Sequence, residues 1–296
     1  MRKISTRQYK ILSDHMDIYQ FMLEIYERDW SNGVPAPFLE YALSSTWMDK
    51  SYSYVNRIWF DGDRIVGFVF NESPVTDVYF SLRPGYEELA PEMVIYAGQN
   101  MPNFEGKKQL IIFEGQNAIM DAAKELGYQK VGEEISMQYD FDRPLEYELP
   151  AGFRFVPQGM YDVEKIEKCC YKGFDHEAEE GPWNGDARNN YQLCQAPHAT
   201  MEYAVVIENE AGEYVCYAGM WWTPQNRLAY MEPLCTVPEY RHQGLASAAL
   251  SELYRRMKPL GATHMTGGGN PFYEKIGYRP MVKWTFWKKK NNEVVE

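Results

Sequence analysis

Three landmarks return along this 296-residue chain at nearly the same offset. Gly127-Tyr128 recurs as Gly277-Tyr278 after 150 residues, Gly67 as Gly219 after 152, and Pro84-x-Tyr86 as Pro238-x-Tyr240 after 154. A repeat of that length has the size of a whole domain rather than of a solenoid unit. The chain therefore reads as a duplication. The boundary falls at Asp142-Arg143-Pro144-Leu145 to Leu149-Pro150-Ala151-Gly152, where two prolines and a glycine interrupt the pattern. The expected domains are 1–143 and 151–296.

Both halves follow one order of strands and helices. In the second half, Phe153 to Val156, Glu202 to Glu208, Tyr214 to Trp222, Leu228 to Val237, Thr263 to Thr266 and Met281 to Trp287 read as strands. Asp162 to Tyr171 has helical spacing, as do Leu245, Ala249, Leu253, Met257 and Leu260; Phe272 to Ile276 is a short helix. In the first half, helices are expected at Asp17 to Asp29, Leu89 to Met101 and Ala118 to Leu126. Strands are expected at Tyr54 to Phe60, Ile65 to Phe70, Asp77 to Leu82, Gln109 to Phe113 and Val131 to Phe141.

Composition removes several classes of function. The net charge of −12 repels phosphate backbones, so nucleic acid is an unsuitable partner, whereas a cationic small molecule is attracted. The five cysteines are odd in number and show no C-x-x-C spacing, which argues against a disulfide framework or a zinc site and for a reducing, cytoplasmic setting. No metal is expected. Neither a signal-peptide pattern nor a run of about 18 apolar residues is present, so no membrane association is expected.

The chemistry concentrates between Leu228 and Leu260, a strand, loop and helix whose loop carries Arg241-x-x-Gly244-x-Ala246. The first turn of a helix leaves about four N–H groups without partners, and the helix dipole adds roughly half a positive charge there. Such an end cradles phosphate or pyrophosphate. Gly244 allows close approach, Ala246 keeps the path open and Arg241 can add a charged donor. The segment Leu234-Cys235-Thr236-Val237-Pro238-Glu239-Tyr240-Arg241-His242-Gln243-Gly244-Leu245-Ala246 resembles the acetyl-CoA motif of the GCN5-related N-acetyltransferase (GNAT) family. Asn270-Pro271-Phe272-Tyr273-Glu274-Lys275-Ile276-Gly277-Tyr278 resembles a later helix of the same family.

The resemblance implies two tandem domains of α/β (α+β) class, each a mixed, mostly antiparallel sheet flanked by helices. It also implies acetyl-CoA, or another acyl-CoA, as co-substrate. Leu234, Cys235 and Thr236 would offer main-chain groups to the pantetheine arm. Arg241, His242, Gln243, Gly244, Leu245, Ala246 and Ser247 would hold the pyrophosphate, and Tyr273, with Phe272 before it, would sit near the sulfur. Pro233 implies a bulge or an edge, since proline cannot donate to a ladder. The family often has asparagine seven residues before the tyrosine; here that place is Thr266, which leaves the part played by Asn270 open.

Acyl transfer to an amine needs a base, donors for the carbonyl oxygen and an acid for the thiolate. Tyr273 is the candidate acid. Glu232 is the candidate base, directly or through water, or else a substrate anchor or half of a structural pair. Cys235 reads as a small core residue, because no histidine is placed to activate it. His242 either touches phosphate or faces solvent. The acidic stretch around Glu177, with Trp183 and Trp222, either receives a cationic amine or is a solvated loop. The expected function is direct transfer of an acetyl group to a primary amine of a small molecule or peptide. The alternatives are a non-catalytic acyl-CoA-binding or interaction protein and, third, an aminoacyl-tRNA-dependent ligase.

The first half has lost the features of the second. Its alignment sets Glu87 opposite Arg241, Ala90 opposite Gly244, Glu92 opposite Ala246 and Ala123 opposite Tyr273. Carboxylates at a phosphate loop repel pyrophosphate, so one cofactor site per chain is expected.

Overall fold

The computed structural model describes residues 2–290. The elements run in the order β1 (Ile4–Gln8), α1 (Ile11–Ile25), α2 (Ala36–Ser44), β2 (Arg57–Asp61), β3 (Arg64–Asn71), β4 (Asp77–Leu82), α3 (Ala90–Asn100), β5 (Gln109–Phe113), α4 (Asn117–Glu125) and β6 (Tyr128–Asp140). There follow β7 (Phe153–Phe155), α5 (Val163–Gly173), α6 (His176–Glu180), α7 (Arg188–Leu193), β8 (Val205–Asn209), β9 (Tyr214–Ala218), β10 (Trp221–Thr223), β11 (Leu228–Tyr230) and β12 (Leu234–Thr236). The last are α8 (Leu245–Met257), β13 (His264–Thr266), α9 (Pro271–Lys275) and β14 (Arg279–Lys289). None of the described helices is long and apolar enough to cross a membrane.

The chain forms two compact units. Unit 1 holds the chain up to Leu43, Trp47–Ser136 and the stretch from Pro280; unit 2 holds Ser44–Thr46 and Met137–Arg279. These are not the contiguous segments 1–143 and 151–296. In unit 1 the strands are ordered β1-β2-β3-β4-β5-β14-β6. The first four strands pair antiparallel, β4 and β5 pair parallel, and β14 lies antiparallel to β5. In unit 2, one set is ordered β6-β13-β11-β10 and the other β12-β9-β8-β7. The end of β6 pairs with β13 through Gln138, Tyr139 and Asp140. The closing strand of each half thus supplies pairing to the other unit. An alternating strand pattern marks which face is buried but not which strand lies alongside, so the exchange has no signature in the sequence.

Two elements of unit 1 carry no clear period. β1 has a single apolar residue among five, Ile4, as suits an edge strand. In α2 the buried residues Ala36, Pro37, Leu39, Glu40, Ala42 and Leu43 leave little polar face to contrast with. α1 starts at Ile11, ahead of the expected Asp17, yet buries the expected Ile18, Phe21, Met22 and Ile25. In unit 2, α8 lays Leu245, Ala249, Leu250, Leu253 and Met257 on one side of β8 and β9. α5 buries Ile166, Cys169 and Cys170 in a second core with Val206, Tyr217 and Cys235.

The repeat seen in the sequence holds at the level of contacts. Gly127 and Gly277 both take left-handed conformations, φ 82° and 99°, two residues beyond α4 and α9. Tyr86 donates its hydroxyl to Asp61 at 3.1 Å, and Tyr240 accepts at its hydroxyl from Asn209 at 3.0 Å. Asp61 and Asn209 each end the first strand of a hairpin, so both tyrosines clamp the equivalent turn.

β14 therefore stabilises the first unit. Trp287 is buried among Leu110, Ile112, Ala122 and Ala123, and the Trp284 ring lies 5.0 Å from Phe113. Trp287→Ala is expected to cost about 3–5 kcal/mol. Hydrogen exchange checks the location: amides of Gln109–Phe113 should lose protection before those of Tyr214–Ala218. Equal loss in both strands would contradict the assignment of β14 to unit 1.

Candidate active site

The site begins where one stretch of chain changes sheets. β11 pairs parallel with β13 at Leu228 and Ala229. Two residues on, the ladder stops: Met231 donates its N–H to the Thr266 hydroxyl at 2.7 Å. Pro233 then contributes no N–H, and β12 pairs with β9 instead. Strands that are neighbours at Ala229 and Met265 have thus parted by Leu234. Gly219 makes this possible. Its N–H donates to the Pro233 carbonyl at 2.8 Å, and a Cβ there would stand 2.2 Å from the Glu232 carbonyl oxygen. The recurring glycine is required by this close approach.

β12 is the outer strand of its set, so one row of its main-chain groups has no strand partner among the described residues. Pro233 and Val237 bond towards β9, as accepting carbonyl and donating amide. By the alternation of an antiparallel ladder, Cys235 does the same, while Leu234 and Thr236 turn theirs to the free edge. The main chain of Cys235 therefore faces β9. Its side chain is buried beside α5, with Sγ 4.0 Å from that of Cys170.

The loop after β12 leads into α8. Gly244 takes φ 87° at the helix N-cap, where it offers no capping side chain. The first helical bond is Ala248 N–H to the Gly244 carbonyl at 3.0 Å, so the amides of Leu245, Ala246 and Ser247 have no acceptor within the helix. That is the donor set a pyrophosphate needs. His242, also left-handed at φ 63°, is exposed, and Gln243 donates to the Glu239 carbonyl at 3.3 Å. The Arg241 guanidinium does something other than wait for phosphate. It donates to the carbonyls of Thr236 and Gly173 at 3.1 and 2.9 Å and pairs with Asp175 at 2.9 Å, fastening the loop to the end of α5.

Tyr273 and Glu232 are brought together. Burial pushes the Tyr273 phenol well above the usual tyrosine range, the Glu232 charge adds to this, and a hydrogen bond from the Gly268 main chain opposes it. Gly267 and Gly268 are small because of this ring: a Cβ on Gly267 would lie 2.8 Å from Tyr273 and from Tyr278. Asn270 caps α9, its side chain accepting from Phe272 N–H at 2.9 Å. Phe272 packs on Tyr273 at 5.2 Å between ring centroids. Trp222 is half-buried, its N–H donating to Thr200 Oγ1 at 2.8 Å. Glu177 pairs with Lys172 at 3.5 Å and Trp183 donates to the Asp186 carbonyl at 3.3 Å. Those contacts lie on α5 and on the acidic segment itself, not on Glu232, Tyr273 or Trp222.

Unit 1 presents the corresponding strands in a closed state. β4 and β5 pair up to Tyr79 and Ile111. Beyond that, buried Gln116 fills the gap, donating to the Phe80 carbonyl at 2.8 Å and accepting from Phe113 N–H at 3.0 Å. Leu82 donates its N–H to the Asn32 carbonyl, and Gly33 lies so near Ser81 that a Cβ would come within 2.4 Å of its hydroxyl. At the helix end, Glu87 accepts from Gly85 N–H at 2.8 Å, Glu92 accepts from the Trp59 indole at 3.0 Å, and Pro91 removes a donor.

Thr266, marked in the sequence only as a departure from the family pattern, is the wedge that ends the β11–β13 ladder. Thr266→Val leaves the Met231 amide unsatisfied, at a cost of about 1–3 kcal/mol in stability. It is expected to weaken acetyl-CoA about tenfold by calorimetric titration, whereas Thr266→Ser retains wild-type affinity. Valine binding as well as threonine would deny the hydroxyl this part.

Residues 160–278 match the family model for the acetyltransferase (GNAT) family. Among solved structures, a GCN5-related N-acetyltransferase from Sphaerobacter thermophilus aligns with a TM-score of 0.60 at 15% identity, covering 97% of this chain and 95% of its own. An acetyltransferase of the GNAT family from Colwellia psychrerythraea gives 0.57 at 12%, over 97% and 100%. A tandem GNAT protein from the clavulanic acid biosynthesis pathway gives 0.56 at 12%, over 96% and 98%. No curated protein matches the chain in sequence. The fold is thus that of paired GNAT-like domains, and residues 160–278, which hold the open strand edge and the uncapped helix of unit 2, match the acetyltransferase (GNAT) family model.

Proposed function

We propose that unit 2 transfers an acetyl group from acetyl-CoA directly to a primary amine, and that unit 1 binds no cofactor. One observation carries this reading: the free edge of β12 runs straight into the uncapped N-terminus of α8, with Glu232 and Tyr273 beside the break. The edge groups of Leu234 and the N–H of Thr236, whose carbonyl accepts from Arg241, suit the amides of a pantetheine arm, and the α8 amides suit the pyrophosphate. Bound acetyl-CoA supplies a thioester, whose acetyl carbon the amine nitrogen attacks as the carbon–sulfur bond breaks. Glu232, directly or through water, takes the proton that the amine loses. Tyr273 gives its phenolic proton to the departing sulfur. The edge N–H of Leu234 suits the developing oxyanion.

The raised Tyr273 phenol suits it to donation, because it remains protonated wherever an amine nucleophile is free. An acid with an elevated pKa is lost only as pH rises through that value, so kcat should show no falling limb below about pH 10, the ordinary tyrosine value. Tyr273→Phe should lower kcat by about 10²–10⁴-fold while acetyl-CoA still binds. Full activity in the phenylalanine variant would remove Tyr273 from the mechanism.

Calorimetry tests the division of labour between the units. One mole of acetyl-CoA should bind per chain, and Gly244→Glu, which sets a bulky anion on a left-handed residue, should abolish it. A second equivalent would mean that Gln116 and Asn32 do not close unit 1. Binding without transfer to any amine in a broad panel would favour a non-catalytic acyl-CoA-binding protein.

A further inference from the structure

Four of the five cysteines gather where α5 packs on β12: Cys169 and Cys170 on α5, Cys216 on β9 and Cys235 on β12 itself. None of them is in a disulfide. The Cys235 sulfur lies 4.0 Å from that of Cys170 and 3.8 Å from the Cys169 carbonyl oxygen. Gly173, one turn further along α5, admits this closeness, since a Cβ there would stand 2.8 Å from both Cβ and Sγ of Cys235. The thiols differ in character. Hydrogen bonds from the thiols of Cys169 and Cys170 lower Cys235 well below the ordinary thiol value in spite of its burial, and the Tyr217 main chain and the Arg241 charge act in the same direction. The same bonds, together with burial, keep Cys169 and Cys170 protonated. Burial pushes Cys216 up to about 12, and its sulfur accepts from the Thr236 hydroxyl at 3.4 Å. Cys170 and Cys235 keep 8% and 4% of their surfaces open, against 1% and 0% for Cys169 and Cys216, so the neighbouring pair is also the reachable one.

A thiolate beside a protonated thiol is the arrangement in which one sulfur attacks an oxidant and the other resolves the product. We propose that Cys170 and Cys235 are a modification site, joined by a reversible disulfide when a hydroperoxide is present, and that the bond weakens the grip of β12 on acetyl-CoA. With hydrogen peroxide, the Cys235 thiolate attacks one oxygen, the O–O bond breaks, hydroxide leaves and Cys235 becomes a sulfenic acid. The Cys170 sulfur then attacks the sulfenic sulfur. The S–O bond breaks, and its hydroxyl leaves as water with the Cys170 proton. The two thiols are thereby oxidised and the peroxide is reduced. A disulfide sets its sulfurs about 2 Å apart, half their present separation, so one element must give way. α5 is seated in its core through Ile166 and Cys169, whereas β12 is three residues long and held by a ladder on one side. The strand therefore yields, and the edge groups of Leu234 and the N–H of Thr236 move with it. This consequence rests on the reading of unit 2 as an acetyl-CoA site; the disulfide does not.

The test treats the full chain with hydrogen peroxide, follows its intact mass and maps its peptides, and titrates reduced and oxidised protein with acetyl-CoA by calorimetry. The oxidised chain should lose two hydrogen atoms, with the Cys170 and Cys235 peptides joined. It should bind acetyl-CoA about tenfold more weakly than the reduced chain, the size of one or two edge hydrogen bonds, and dithiothreitol should restore both mass and affinity. Cys170→Ala should bind acetyl-CoA like reduced wild-type protein before and after peroxide. Cys194→Ser, which removes the partly exposed thiol, should behave as wild type throughout. Peptide mapping of wild-type protein decides the pairing even where the alanine variant folds poorly. Thiols that survive peroxide unlinked, or a bond that joins Cys169 to Cys170 or one chain to another, would overturn the proposal. So would a mapped Cys170–Cys235 bond that leaves acetyl-CoA affinity unchanged. Failure of the reduced chain to bind acetyl-CoA would instead sink the reading of unit 2, with the peptide map still deciding the disulfide.

Discussion

Two parallel strands can receive a ligand between them only if their hydrogen bonding stops at a fixed place, and here that place is set by one side chain and one imino acid. The Thr266 hydroxyl takes the Met231 amide that would otherwise continue the ladder, and Pro233 has no amide to offer. Between them Glu232 stands at the edge of the gap. Everything else in unit 2 is arranged around this break. Gly219 vacates the space its carbonyl needs, β9 accepts the displaced strand, and the freed edge at Leu234 and Thr236 leads on to Gly244 and the amides of α8. A buried amide without a partner is costly, so the break is stable only because each lost bond has a named replacement.

The same scaffold in unit 1 shows what happens without a vacancy. The strands part at the same point, but Gln116 bonds to both lips and Asn32 occupies the edge. Glu87 folds back on Gly85 where an incoming anion would lie. These contacts satisfy the groups that in unit 2 are left exposed.

Much of this was legible in the residues. The Arg241-x-x-Gly244-x-Ala246 loop, the helix after it and Tyr273 follow from local pattern, because a helix N-terminus and its glycine are set within a few residues. The repeat was legible for the same reason: glycines in left-handed turns and tyrosines clamping hairpins are local devices. What escaped depends on distant partners. The alternation of Val131 to Phe141 and Met281 to Trp287 marks strands, but nothing in it says that each pairs with the other unit. In the strand read from Leu228 to Val237, Pro233 marked an irregularity, but the split into two strands also needs Thr266 and Gly219, which lie outside that segment. Arg241 was readable as a cation and not as a strut, since Gly173 and Asp175 approach it only through the packing of α5.

The exchange of closing strands bears on how a chain with two similar halves keeps both. If each half closed its own sheet, the first could be lost by truncation or drift with little effect on the second. With β14 seated beside β5, and the last residues of β6 beside β13, neither unit is complete from its own half alone. The residues that pair β6 with β13, Gln138 to Asp140, stand two strands from the strand that changes sheets, and β13 between them carries Thr266. The first half of the sequence therefore contributes to unit 2 through covalent continuity: the end of β6 lies alongside the strand that carries Thr266.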